Sequence, residues 1–134
     1  MRYLLDTNIV SDLVRNPKGH IATRIGEVGE LSVCTSIVVA AELWYGALKR
    51  GSERLTTRLE LILDAIEIMP FESPGDRIYG RLRMELERVG LPIGGNDLII
   101  AAQSLAHGFT LVTDNEREFS RISDLPQENW LRGR

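Results

Sequence analysis

Four acidic side chains stand alone in otherwise apolar sequence. Asp6 is the only charged residue between Arg2 and Asp12, Glu42 the only one between Glu30 and Lys49, and Asp97 the only one between Arg88 and Asp114. Asp114 itself closes the apolar run Thr110 to Val112. Carboxylates isolated in this way tend to be buried, and a buried carboxylate is costly unless it is paired, protonated or bound to a cation. Each has an ordinary alternative: a helix N-cap for Asp6 and Asp97, an Asx-turn for Asp114, an internal arginine pair for Glu42. A single cation site would account for all four at once. The chain has two histidines and one cysteine, so the donors are oxygen, which selects Mg²⁺ or Mn²⁺ over zinc. Such a site suits phosphoryl chemistry, with hydrolysis of a phosphodiester the natural assignment.

The elements that must position these acids alternate between strand and helix. Tyr3 to Leu5 reads as a strand ending at Asp6, Thr7 and Asn8, all good helix starters. Leu31 to Cys34 reads as a second strand, and Thr35 or Ser36 caps a helix to about Arg50, stopped by Gly51. Leu55, Leu59, Ile62 and Leu63 give the next helix its apolar face, with Arg54 and Arg58 one turn apart on another. Ile66 to Met69 is a third strand. Ser73 and Pro74 open a helix to about Val89, and Gly94 and Gly95 lead into Asp97 and a helix closed by Gly108. Thr110 to Val112 is a fourth strand, followed by a short helix from Glu116 and a last strand near Trp130. The pattern predicts an α/β fold: one domain, residues 1–134, with a mostly parallel sheet of four to five strands flanked by helices on both faces. Asp6 and Asp114 then sit at carboxyl ends of strands, where such sheets place ligands, and Thr7, Asn8, Thr113 and Asn115 lie beside them as hydrogen-bonding support.

Composition fits this reading. The chain has 134 residues, 43% of them hydrophobic and 6% aromatic, enough for an aliphatic core without staples. A lone Cys34 excludes an internal disulfide and reads as core in a cytoplasmic protein. The N-terminus lacks the pattern of a secretory leader, and Glu42 interrupts the longest uncharged stretch, so no membrane partner is expected. A net charge of −3 argues against a nucleic-acid partner, yet setting the four isolated acids aside leaves the remainder slightly basic.

Taken together, the run Leu4 to Ile9 around Asp6, the helix with Ala41, Glu42, Leu43 and Gly46, the run Asn96 to Ala102 around Asp97, the stretch Thr113 to Phe119 around Asp114 and the tail Glu128, Asn129 and Trp130 resemble the PIN-domain ribonucleases of the VapC toxin family. The resemblance spans nearly the whole chain in the family's order. It implies a PIN fold and Mg²⁺-dependent endonucleolytic cleavage of RNA, with Mn²⁺ as a substitute ion. It makes Asp6 and Asp97 the direct metal ligands, with Glu42 and Asp114 completing the acidic cluster. It also implies neutralisation by a VapB-type antitoxin, a homodimer within a larger toxin-antitoxin assembly, and promoter DNA bound only through that complex. Some relatives cut tRNA. This chain has Gly95 where proline often precedes the Asn and Asp, and Asp114 where some tRNA-cutting relatives carry asparagine, so their substrate does not transfer automatically.

RNA binding needs cations, and three groups are candidates: Arg15, Lys18 and Arg24; Lys49, Arg50, Arg54 and Arg58; Arg77, Arg81, Arg83 and Arg88. Trp44 and Tyr45 are expected in the core or at a dimer interface rather than stacked on bases. Two rival readings are a Mg²⁺-dependent phosphate-handling α/β domain, which usually needs a second acid beside the first or a lysine at a late strand end, and a non-catalytic interaction module. Thr7 and Asn8 beside Asp6, and the retention of all four acids, disfavour them.

Overall fold

A computed structural model describes residues 1–132 of the chain; the last two positions of the expected 1–134 domain lie outside it. Five strands form one sheet: β1 (Tyr3–Leu5), β2 (Val33–Ser36), β3 (Glu67–Met69), β4 (Thr110–Val112) and β5 (Gln127–Glu128). Their order is β3-β2-β1-β4-β5 and every pairing is parallel. Register sets Leu5 against Thr35 on one side and Val112 on the other. The three central strands are buried along their whole length, as a parallel sheet covered on both faces requires. The connections are the helices α1 (Thr7–Arg15), α2 (His20–Val28), α3 (Ile37–Arg50), α4 (Glu53–Ala65), α5 (Gly75–Arg88), α6 (Gly95–His107) and the short α7 (Glu116–Phe119). The chain winds outward from β1 to β3 and then crosses back to β4, so right-handed crossovers put α1 to α4 on one face and α5 and α6 on the other.

That reversal creates a crevice at the carboxyl ends of β1 and β4, the position at which doubly wound sheets take their ligands. The helices entering it are anchored from below. Ile9, Val10, Leu13 and Val14 bury one face of α1, and Leu98, Ile100, Ala101 and Ala102 bury α6. The buried Gln103 amide donates to the carbonyls of Met69 and Pro70 at 2.8 Å each, tying α6 to the end of β3. Ser36 caps α3 by accepting from the Val38 N–H at 3.0 Å, and Gly51 and Gly108 end α3 and α6 in the left-handed conformation that glycine adopts without steric cost.

The layout follows the sequence reading with local corrections. Strand β2 starts at Val33 because Glu30–Ser32 coils into a 3-10 turn. Helix α2 was not anticipated. It carries an internal Gly26, buries only Ile21, and is held by packing rather than propensity. Helix α5 begins at Gly75, without a side-chain cap from Ser73; a Cβ at Gly75 would meet the Phe71 ring at 2.7 Å, so any other residue there would have to displace that ring. The last strand is Gln127–Glu128 rather than one at Trp130, whose ring instead packs on Tyr3 with centroids 5.2 Å apart. Trp44 packs partly buried against the core, but Tyr45 is exposed, with the Lys49 ammonium 5.7 Å from its ring. Cys34 is in the core, and burial pushes its thiol up to about 11. No described helix is long and apolar enough to cross a membrane.

Candidate active site

Asp6 follows β1 directly and is 4% exposed. It occupies the N-cap position of α1, yet its side chain makes no cap hydrogen bond there. Instead its Oδ2 accepts the Thr113 hydroxyl at 2.7 Å, from the end of β4. Simple capping therefore does not explain Asp6. Burial pushes its carboxyl above the usual range, opposed by the Thr113 hydrogen bond and the Thr7 N–H and reinforced by the charge of Glu42.

Glu42 stands on α3, half-buried, and among the described residues no arginine pairs with it. Its Oε1 accepts the Thr7 hydroxyl at 2.7 Å, and its Oε2 lies 3.4 Å from the donating Asn96 amide. Asp97 lies inside the first turn of α6, past the N-cap Gly94, where the helix dipole favours an acid. Its carboxyl is pushed up to about 7, first by burial, then by a hydrogen bond with Glu118, and then by the charges of Asp6, Glu118 and Glu42. The Asn115 amide bridges Asp97 and Glu118, donating to each at 3.3 Å. Asp6, Glu42, Asp97 and Glu118 thus form one electrostatically coupled group.

Glu118 was not singled out in the sequence because it lies among Glu116, Arg117 and Phe119 and looks like surface charge. The available signal was spacing: Asn115 and Glu118 are one turn apart and face the same way. Asp114 has different partners. Its Oδ1 accepts the Asn129 amide at 2.9 Å and the Arg132 guanidinium at 3.2 Å, and the Asn129 hydrogen bond holds its carboxyl below the usual range, with Arg132 adding to the effect. Its backbone N–H donates to Asn8 Oδ1 at 3.2 Å. Asn8 and Asn115, expected beside the acids as hydrogen-bonding support, tie the strand-end loops together.

These residues fit a divalent cation. The donors are carboxylate oxygens, and among the described residues no lysine or arginine forms an ion pair with Asp6, Glu42, Asp97 or Glu118. Thr113, Thr7 and Asn115 hold the carboxylates from behind, as partners of metal ligands do. Among the described residues no three His, Cys, Asp or Glu side chains close around one point as a finished cage. An ion that retains several waters suits that arrangement.

The two outer acids should separate on mutation. Glu118→Gln is expected to lower any metal-dependent phosphodiesterase rate by about 10–100-fold, the usual cost of losing a partner of a metal ligand. Asp114→Asn should cost less than about tenfold, since an amide retains an oxygen for Asn129. Parallel initial rates check the order, and a larger loss for Asp114→Asn would reverse it.

A family model described as the PIN domain matches residues 3–125. The chain is 40% identical over 132 residues to Ribonuclease VapC2 of Rickettsia felis, covering 97% of this chain and 98% of that protein. It is 32% identical over 131 residues to the tRNA(fMet)-specific endonuclease VapC of Shigella flexneri, covering 97% and 98% respectively. Among solved structures it resembles VapBC2 from Rickettsia felis bound to a DNA fragment from their promoter, with a TM-score of 0.90 at 38% identity, covering 97% of this chain and 99% of that one. With the family match running over nearly its full length and these identities beside it, the chain belongs to the PIN-domain family, in its VapC branch.

Proposed function

We propose that this chain is a Mg²⁺-dependent endoribonuclease that acts in the cytoplasm as the toxin of a VapBC-type pair. Its whole length serves as one PIN domain. A VapB-type antitoxin neutralises it, and promoter DNA is met only through that complex, built on a toxin homodimer. The observation that carries the reading is the coupling of Asp6, Glu42 and Asp97 at the sheet's switch point with no basic partner among the described residues. The ribonuclease and endonuclease names of its relatives, and the VapBC complex among its structural neighbours, support the substrate and the partner. RNA is the substrate, with tRNA the first class to test.

In this reading Asp6 and Asp97 hold Mg²⁺, Glu42 completes the ligand field with Glu118 beside it, and Asp114 supports the loop from the rim. A bound Mg²⁺ neutralises charge on the scissile phosphate and acidifies water at the site. Thr113 fixes one oxygen of Asp6 and Thr7 fixes one of Glu42, so both carboxylates meet the substrate pre-oriented. Asp97, whose carboxyl burial and neighbouring acids push up to about 7, would hold a cation only in its deprotonated form. The phosphate-handling rival lacks its second acid or late lysine, and a non-catalytic module would not need three coupled acids.

The purified protein incubated with total tRNA and Mg²⁺ should give discrete fragments, with none in the presence of chelator. Their 5′ ends, read by sequencing, identify the target. If the protein cuts no RNA in Mg²⁺ or Mn²⁺, the assignment fails.

A further inference from the structure

Beside Glu42 and Thr7 opens a cavity of about 520 Å³ between α1, α3 and α4, and four arginines line it: Arg15, Arg50, Arg54 and Arg58. We propose that this groove carries single-stranded RNA, with the four guanidiniums binding phosphates that flank the scissile bond. The inference rests on the ribonuclease reading and adds the path by which substrate reaches the acids.

What sets the groove apart is the convergence of four arginines on one cavity. Lack of pairing alone does not, since Arg77, Arg88, Arg117 and Arg121 outside it also form no ion pair with a described acid. Arg81 and Arg83 on α5 each meet a glutamate four residues on, Glu85 and Glu87, and Arg2, Arg24 and Arg132 also have acidic partners. None of the four groove arginines forms an ion pair with a described acid. The placement of Arg54 and Arg58 runs against local stability. Arg54 lies in the first turn of α4, where the helix dipole disfavours a cation, and Arg58 follows four residues later, a like-charge neighbour on the same face. Arg15 and Arg50, in the last turns of α1 and α3, are where the dipole welcomes them, so those two alone would mean little. A local conflict with no compensating partner is where function is expected.

Charge and shape select the occupant. Four positive groups adjoining an acidic centre suit a polyanion whose one phosphate meets the cation and whose neighbours meet guanidinium. Val14, Leu55 and Leu59 supply apolar wall for bases. A cavity of this size is on the scale of one small ligand, room for one or two nucleotides of a single strand.

The test uses the full chain carrying Asp97→Asn, in chelator, with a short single-stranded oligoribonucleotide as probe, so that binding is read without cleavage. Arg54→Gln and Arg58→Gln should each weaken binding about 3–10-fold and reduce the salt slope by roughly 0.7. Arg81→Gln, on the paired helix, should leave both unchanged. With Asp97 intact, Arg54→Gln should raise KM and leave kcat within about twofold, the signature of lost ground-state binding. Melting temperature guards against misfolding, and Arg54→Gln should melt no lower than the parent. If affinity and slope are unchanged in Arg54→Gln and Arg58→Gln, the groove proposal is overturned while cleavage by the parent still upholds the ribonuclease. A parent that cuts nothing removes the ribonuclease reading, and the binding arm still decides the groove. If the variants lose affinity for a VapB-type protein but not for RNA, the groove is a protein-docking surface and the proposal fails.

Discussion

Asparagine in place of Asp97 is expected to lower RNA cleavage at saturating Mg²⁺ by on the order of 10³-fold or more, while the metal-free variant melts higher than the parent protein. The two effects have one cause. Asp97 lies beside Glu118 and in the fields of Asp6 and Glu42, and among the described residues no lysine or arginine pairs with any of them. The charge that would hold the ion is therefore a source of repulsion when the ion is absent. An amide removes the repulsion and keeps the shape, and it also removes the ligand on which charge stabilisation at the phosphate depends. Initial rates on RNA and thermal melts in chelator measure the pair of effects. A variant that cuts within tenfold of the parent would remove Asp97 from the reaction, and one that melts lower would show the cluster to be stabilising.

The second large effect links pH, metal and stability. Asp97 titrates near 7 in the folded protein against an ordinary value of 3.8, and Asp6 is displaced in the same direction. Between those limits the folded state holds protons that the unfolded chain has released, so stability falls as pH rises through this window. Asp114, held below its ordinary value, acts oppositely, and its contribution is lost only as the solution becomes more acidic than the normal carboxylate range. The metal-free protein should therefore be most stable in mild acid and lose about 1–2 kcal/mol on going to pH 8, a figure discounted for the partial exposure of Asp97. Mg²⁺ or Mn²⁺ should reverse the trend, because a deprotonated cluster would bind a cation best. At a hundredfold excess over Kd the gain is about 2.7 kcal/mol, roughly 8–10 °C in Tm for a domain of this size. Melts across pH 5–8 with and without metal test this, and a metal-induced shift that does not grow with pH would sink it.

Much of this architecture is legible in the sequence because its strands and helices alternate and most helix ends carry their own signals. Ser36, Gly51 and Gly108 mark boundaries that the structure keeps. Asp6, Glu42 and Asp97 stood out because each interrupts an apolar run, and burial is what such isolation reports. Glu118 was hidden by the opposite circumstance, neighbours that are themselves charged. The partners of Asp114 were hidden too, since Asn129 and Arg132 come from the tail and meet it only once β5 has paired with β4. Arg54 and Arg58 were visible as neighbours on one helix, but their convergence with Arg15 and Arg50 needed the packing of α4 against α1 and α3.

The pairing of β1 with β4 also bears on how the protein is made. Thr113 reaches Asp6 only after Thr110–Val112 has docked beside Tyr3–Leu5, so the first strand waits through most of synthesis for one of its two neighbours. A ribosome releases the chain from its N-terminus at roughly 5–20 residues per second, and a fragment ending before β4 can supply Asp6, Glu42 and Asp97 but cannot lock Asp6 in place. A truncated or stalled product therefore lacks the hydrogen bond that orients Asp6, and the complete acidic site is assembled only when translation is nearly finished.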